Sequence, residues 1–234
     1  MANKALNNTT KAAPKDKEIV RDYFNSVGFD RWRRIYGDGD VNRVQRDIRT
    51  GHQQTVDYVL GWFKNDKNAT TQTVCDAGCG TGSLSIPLAA MGAKVYASDI
   101  SKKMVGEGQS LAADPANPIF EVKDLATLSG EYDTVICLDV LIHYPDRDSE
   151  EMIAHLASLA KSRLILSFAP RNPYYIMMKK VGDMVPGPSK ATRAYLHKES
   201  DVRNVLKKLG FTIKRKEFTA TSFYFSRLFE AVRN

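Results

Sequence analysis

A chain of 234 residues with 43% hydrophobic content is long enough for one domain with additions and has a composition ordinary for a globular protein. Its formal charge of +7 points to an anionic partner, whether nucleic acid, a membrane surface or a small acid, and does not choose among them. No apolar run approaches the ~20 residues that cross a bilayer, no secretion signal opens the chain, and three cysteines (Cys75, Cys79, Cys137) without paired metal-ligand spacing read as buried free thiols in a reducing compartment.

Residues 1–16 contain neither Arg nor Ser, unlike an organellar presequence, and read as a disordered leader. Residues 17–65 have helical apolar spacing and form an N-terminal helical cap. Apolar positions 19, 20, 23, 24, 27, 32 and 35 predict two short helices interrupted at Gly28, the second of them (Phe29 to Tyr36) basic and aromatic. Gly37-Asp38-Gly39-Asp40 is a loop by composition. Residues 41–63 predict one or two helices with Val56, Val59, Leu60 and Phe63 on a single face.

From residue 66 to 234 the chain becomes an α/β domain. The pattern predicts strand 72–76, helix 82–91, strand 94–98, helix 101–112, strands 118–122 and 133–139, helix 148–159 and strand 163–168. Asp148 stands to cap its helix with Glu151 as reciprocal partner. Beyond an irregular stretch, 170–196, come an amphipathic helix 200–209 closed by Gly210 and two strands, 211–218 and 221–232. The sum is a Rossmann-like sheet of seven strands, mostly parallel, finished by an antiparallel C-terminal hairpin.

The chemistry begins at Val74-Cys75-Asp76-Ala77-Gly78-Cys79-Gly80-Thr81-Gly82, which reads as strand, glycine turn, helix. Glycine is needed there because a Cβ would block both the turn and a ligand's approach. The dinucleotide fingerprint wants glycine or alanine where this chain has Ser83. Asp-x-Gly-x-Gly-x-Gly resembles instead the first motif of class I S-adenosylmethionine (SAM) methyltransferases; a tight turn with no ligand is the plainer alternative. Asp99, 21 residues beyond Gly78, ends the second strand where an acid binds ribose hydroxyls, in a SAM or an NAD site alike. Ile100-Ser101-Lys102-Lys103-Met104 resembles the family pattern that sets Ile100 and Met104 against adenine, with core packing as the alternative for Met104. Lys123-Asp124-Leu125 resembles the motif whose acid accepts from the adenine amino group, unless Asp124 only caps a helix. Asp139 ends the fourth strand and faces the same crevice. The resemblance therefore implies a SAM site built from Asp76, Gly78, Gly80, Gly82, Asp99, Ile100, Met104, Asp124, Leu125 and Asp139.

The methyl acceptor is read from elsewhere. The Asn/Asp-Pro-Pro-Tyr/Phe segment of nucleobase methyltransferases is replaced by Asp139-Val140-Leu141-Ile142-His143-Tyr144-Pro145, which turns the reading away from nucleic acid. Between Arg171 and Lys198 six bases stand against one acid, a balance of +5, among Tyr174, Tyr175, Ile176 and several Met residues. A loop this long is usually functional, and its chemistry suits a flat apolar acid; a solvated charged lid is the alternative. The stretches Gly28-Phe29-Asp30-Arg31-Trp32-Arg33-Arg34-Ile35-Tyr36-Gly37 and Asp47-Ile48-Arg49-Thr50-Gly51-His52, with the 74–104 core, resemble the magnesium protoporphyrin IX O-methyltransferase family from about residue 18 to the C-terminus.

That resemblance implies methyl transfer from SAM to a propionate of Mg-protoporphyrin IX, with magnesium present only in the substrate. It also implies contact with the porphyrin-binding subunit of magnesium chelatase and loose membrane association in a cyanobacterial-type cytoplasm. The expected catalytic residues are His143, as orienter, proton acceptor or magnesium ligand, and Tyr36, as hydrogen-bond donor. Arg34, Arg171 and Tyr175 are expected to hold the substrate, and both added segments to close over it as lids. His52, His155 and His197 carry no comparable argument. The rival readings are methylation of another small acid or quinone precursor, and a basic RNA binder that keeps the SAM fold.

Overall fold

A computed structural model describes residues 14–37, 39–66, 71–173, 175–176 and 194–234. Three helices, α1 (Pro14–Phe24), α2 (Val27–Tyr36) and α3 (Arg43–Asn65), precede the sheet. Then follow β1 (Thr73–Ala77), α4 (Ser85–Ala90), β2 (Lys94–Asp99), α5 (Lys102–Leu111), β3 (Ile119–Val122), β4 (Tyr132–Cys137), α6 (Asp146–Leu159) and β5 (Ala160–Phe168). The last elements are α7 (Glu199–Lys208), β6 (Phe211–Ala220) and β7 (Phe225–Arg233). The seven strands lie in the order β3-β2-β1-β4-β5-β7-β6, parallel through β5, with β7 antiparallel to both β5 and β6.

The central strands are apolar on both faces, as a covered parallel sheet requires. Val74, Ile136 and Ile165 point to one side, onto Val56, Val59 and Phe63 of α3 and Leu88 of α4. Their neighbours Cys75, Val135, Cys137, Leu164 and Leu166 point to the other, onto Met152, Ile153 and Leu156 of α6 and Val202 and Leu206 of α7. The three cysteines are free and buried.

Helix α3 is fixed at both ends. Asn42 and Gln45 form a reciprocal capping box at its start. Asp66, just past its end, meets Arg163 of β5 and Arg215 of β6, which also hold the buried Glu230 of β7. On the same helix Asp47 accepts from Thr221 Oγ1 (2.6 Å) and the Phe223 amide (2.6 Å), so the β6–β7 turn is docked on α3.

The element boundaries correct several expectations. The break between α1 and α2 falls at Asn25–Ser26, while Gly28 lies inside α2, where a Cβ would sit 2.5 Å from Tyr23 Cε1. Residues 14–16, read as leader, begin α1; residues 1–13 lie outside the described residues, as does most of the 170–196 segment. Helix α6 starts two residues early, with Pro145 at its N-cap, so the Asp148–Glu151 box does not form and Glu151 pairs with Arg147 instead. Strand β4 stops at Cys137, and Asp139 turns out of it at φ 58°.

Candidate active site

The glycine turn lies against the end of β2: the Gly78 and Cys79 amides both donate to Ser98 O, at 2.7 and 2.9 Å. Gly78 has φ 86°, and a Cβ on it would strike Val140 Cγ2 at 2.3 Å, so only glycine lets the β1 and β4 loops pass so closely. Gly82 (φ 84°) abuts Phe120 rather than the crevice, and the buried Asp76 accepts from Ser85 Oγ at 2.5 Å. Asp76 and Gly82 therefore shape the turn and the start of α4 but do not line the pocket.

Above the turn opens a pocket whose empty space, with the open solvent at its mouth, is about 890 Å³. Of the cofactor residues read from the sequence, Gly78, Gly80, Asp99, Ile100, Met104, Asp124, Leu125 and Asp139 line it. Asp99 accepts from the Gly80 amide (3.0 Å) through Oδ2 and from the Ser101 amide (2.8 Å) through Oδ1, which fixes both oxygens, while burial pushes its carboxyl up. Asp124 caps the 3-10 turn Leu125–Thr127 through the Ala126 amide and also lines the pocket. Met104 likewise is 1% exposed and forms the pocket wall.

The β4 side carries His143, and α2 carries Tyr36. A 3-10 turn, Leu141–His143, points His143 into the pocket against the edge of Phe24, with ring centroids 5.6 Å apart. Its Nδ1 is buried without a hydrogen-bond partner among the described residues. Burial lowers the imidazole to about 4, only partly offset by the Asp139 charge, so the ring is neutral at ordinary pH. Tyr36 lines the pocket from α2, and burial, then Asp139 and Asp99, raise its phenol, which keeps its proton.

Asp139 sits in a network the sequence did not disclose. His52 of α3 donates from Nδ1 to Asp139 Oδ2 at 2.9 Å, and its Nε2 lies 2.9 Å from Ser83 Oγ. Tyr224, from the β6–β7 turn, donates to Asp139 Oδ2 at 2.8 Å, and Ser167 Oγ donates to Oδ1 at 3.0 Å. Burial would raise this carboxyl, but the His52 bond and charge, with Tyr224 and Ser167, hold it below its ordinary value. A carboxylate is acceptor-only, so His52 carries a proton on Nδ1, the atom that faces Asp139. The Tyr36 ring lies on His52, 4.5 Å between centroids. His52 was within the 47–52 stretch that carries the resemblance; nothing in local spacing marked Tyr224. Val20 and Phe24 of α1 and Tyr144 and Pro145 also line the pocket and were not anticipated.

The three expected substrate residues lie outside the pocket. Arg34 is exposed on α2. Arg171 pairs with Asp146 (2.6 Å) and donates to Leu196 O (2.9 Å), so its charge is already answered. Tyr175 is buried in a stack on Phe225, 4.1 Å between centroids.

Comparisons with known proteins agree with this geometry. Residues 74–163 match the methyltransferase domain profile, and residues 137–233 match the profile of the magnesium-protoporphyrin IX methyltransferase C-terminus. The chain is 62% identical to the magnesium-protoporphyrin O-methyltransferase of Synechocystis sp., over 96% of this chain and 100% of that protein. It is 59% identical to the chloroplastic magnesium protoporphyrin IX methyltransferase of Arabidopsis thaliana, over 93% of this chain and 71% of that one. The crystal structure of the Synechocystis enzyme with bound S-adenosylhomocysteine (SAH) superposes with a TM-score of 0.86 at 61% identity, covering 93% of this chain and 100% of that chain. With a seven-stranded sheet, a glycine-floored pocket and this likeness along its length, the chain belongs to the magnesium-protoporphyrin IX methyltransferase family.

Proposed function

We propose that the protein transfers the methyl group of SAM to a propionate of Mg-protoporphyrin IX, giving the monomethyl ester in chlorophyll biosynthesis. The observation that carries this reading is the identity of 62% spread over 96% of the chain, cap helices included. The pocket suits the donor. Asp99 stands at the strand end where an acid suits ribose hydroxyls, Ile100, Met104 and Leu125 offer an apolar wall for adenine beside Asp124, and Gly78 and Gly80 bring bare backbone to the pocket.

When bound, SAM supplies an electrophilic methyl on a sulfonium. A propionate resembles a glutamate side chain, with a pKa near ~4.3, and is already ionised at neutral pH. The chain therefore has no proton to remove. What it must do is hold the carboxylate in line and keep water away, and orientation alone is worth up to about 7–11 kcal/mol of barrier. We assign the orienting role to His143, whose buried Nδ1 awaits a partner, and to Tyr36, whose phenol remains a donor. A neutral His143 leaves the nucleophile's charge unquenched. Val20 and Phe24 line the pocket with apolar surface, which favours a reaction in which opposite charges cancel.

Contact with the porphyrin-binding subunit of magnesium chelatase and loose attachment to a membrane surface belong to the same reading. No helix among the described residues is long and apolar enough to cross a membrane. The test is transfer of tritiated methyl from SAM to Mg-protoporphyrin IX, run beside metal-free protoporphyrin. Label in the magnesium porphyrin ester, well above the metal-free control, is expected; label on neither porphyrin overturns the proposal.

A further inference from the structure

His52 and Tyr224 reach one carboxylate from distant parts of the chain. Helix α3 brings the imidazole, and the β6–β7 turn brings the phenol; with Ser167 they supply every side-chain bond drawn to Asp139. Asp139 is the one described non-glycine residue in the left-handed region, so its backbone needs such outside support. Its position matters. Strand β1 runs between β2 and β4, so Asp139 flanks the glycine turn on one side while Asp99, Ile100 and Met104 flank it on the other.

Ser83, His52 and Asp139 stand in the hydrogen-bond order of a hydrolase triad. Ser83 does not line the pocket, however, and the Tyr36 ring covers the imidazole. The serine thus serves as the outer hydrogen-bond partner that fixes the ring, not as a nucleophile.

We propose that His52 and Tyr224 are positioning residues for the methyl donor, holding the Asp139 carboxylate as a fixed anion at the end of the pocket that receives the cationic, amino-acid half of SAM. This rests on the reading of the pocket as a SAM site. A bound cofactor then finds its counter-charge already oriented, with no cost of reorganisation.

The test is calorimetric titration of the full chain with two probes: SAM, and methylthioadenosine, which keeps the adenosine and thioether but carries neither positive charge. Tyr224→Phe and His52→Leu should each weaken SAM about tenfold, the scale of a lost hydrogen bond to a charged group, while methylthioadenosine shifts less than about twofold. Equal losses for both probes, or no loss for either, overturn the proposal. Tyr224→Phe removes a single oxygen at constant ring size and carries the test if His52→Leu fails to fold. A wild-type chain that bound no SAM would instead defeat the cofactor reading itself, so the two failures are told apart.

Discussion

Gly51 and Tyr224 fill one another's space: a Cβ on the glycine would lie 2.3 Å from the tyrosine Cδ1. The slot lets the phenol pass α3 and reach Asp139. Gly51→Ala should therefore force the β6–β7 turn off the helix. Overpacking of this kind costs typically about 1–3 kcal/mol, or a fall in Tm of roughly 3–10 °C for a chain of this size. Thermal unfolding measures it, and an unchanged Tm would show that the ring has another seat.

His143→Ala should leave SAM affinity within about twofold and lower kcat on the order of 10²-fold, the scale of a misplaced reacting group. A variant that binds SAM and turns over normally removes the residue from the reaction. With its imidazole lowered to about 4 by burial, His143 stays uncharged across the physiological range. His143→Gln should then change the height but not the shape of the pH–rate curve between about pH 5.5 and 8, where an ordinary histidine titrates.

Burial raises Asp76 to about 6 against the opposing Ser85 bond, with Asp99 adding to the rise. A carboxyl whose folded value exceeds its ordinary 3.8 contributes stability below that ordinary value and loses it as pH rises through about 6. At neutral pH the ionised group costs about 3 kcal/mol, two units at 1.36 kcal/mol each. Asp76→Asn, which can still accept from Ser85, should be more stable than the parent near neutrality, with the advantage shrinking in acid. Urea midpoints across pH test this; a constant gap would mean that another group titrates.

Arg49 caps α2 by donating to three carbonyls, Arg34 O (2.6 Å), Ile35 O (2.9 Å) and Gly39 O (2.8 Å). Arg49→Met frees the end of the helix that carries Tyr36. Trypsin should cut at the neighbouring Arg33 and Arg34 about tenfold faster while the sheet's unfolding midpoint hardly moves, as expected for a local opening. An unaltered cutting rate would place the restraint on α2 elsewhere.

Much of this was legible because it is local. The glycine turn, the acid ending β2 and the alternation of strands with helices are short-range patterns, and each element lies within a few residues of its expected span. Asp148 shows where local reading fails: its spacing from Glu151 suits a capping box, but Pro145 takes the cap and Glu151 turns to Arg147. Arg171 meets Asp146, 25 residues earlier, a contact that local spacing does not mark. His52 and Tyr224 were invisible for the same cause. Nothing near either residue says that both end on Asp139, and only the packing of α3 and the hairpin turn reveals it.

The hydrogen bonds that build the pocket also differ in how much chain they must close. The Gly80–Asp99 bond spans 19 residues, whereas His52–Asp139 spans 87 and Tyr224–Asp139 spans 85. Loop closure over the longer span costs about 1.3 kcal/mol more in entropy, and such contacts are the ones that slow folding. Asp99 thus rests on neighbours in sequence, and Asp139 on the whole topology. A local opening that frees α3 or the hairpin turn takes the hydrogen-bond support from Asp139 and leaves the Gly80–Asp99 bond in place.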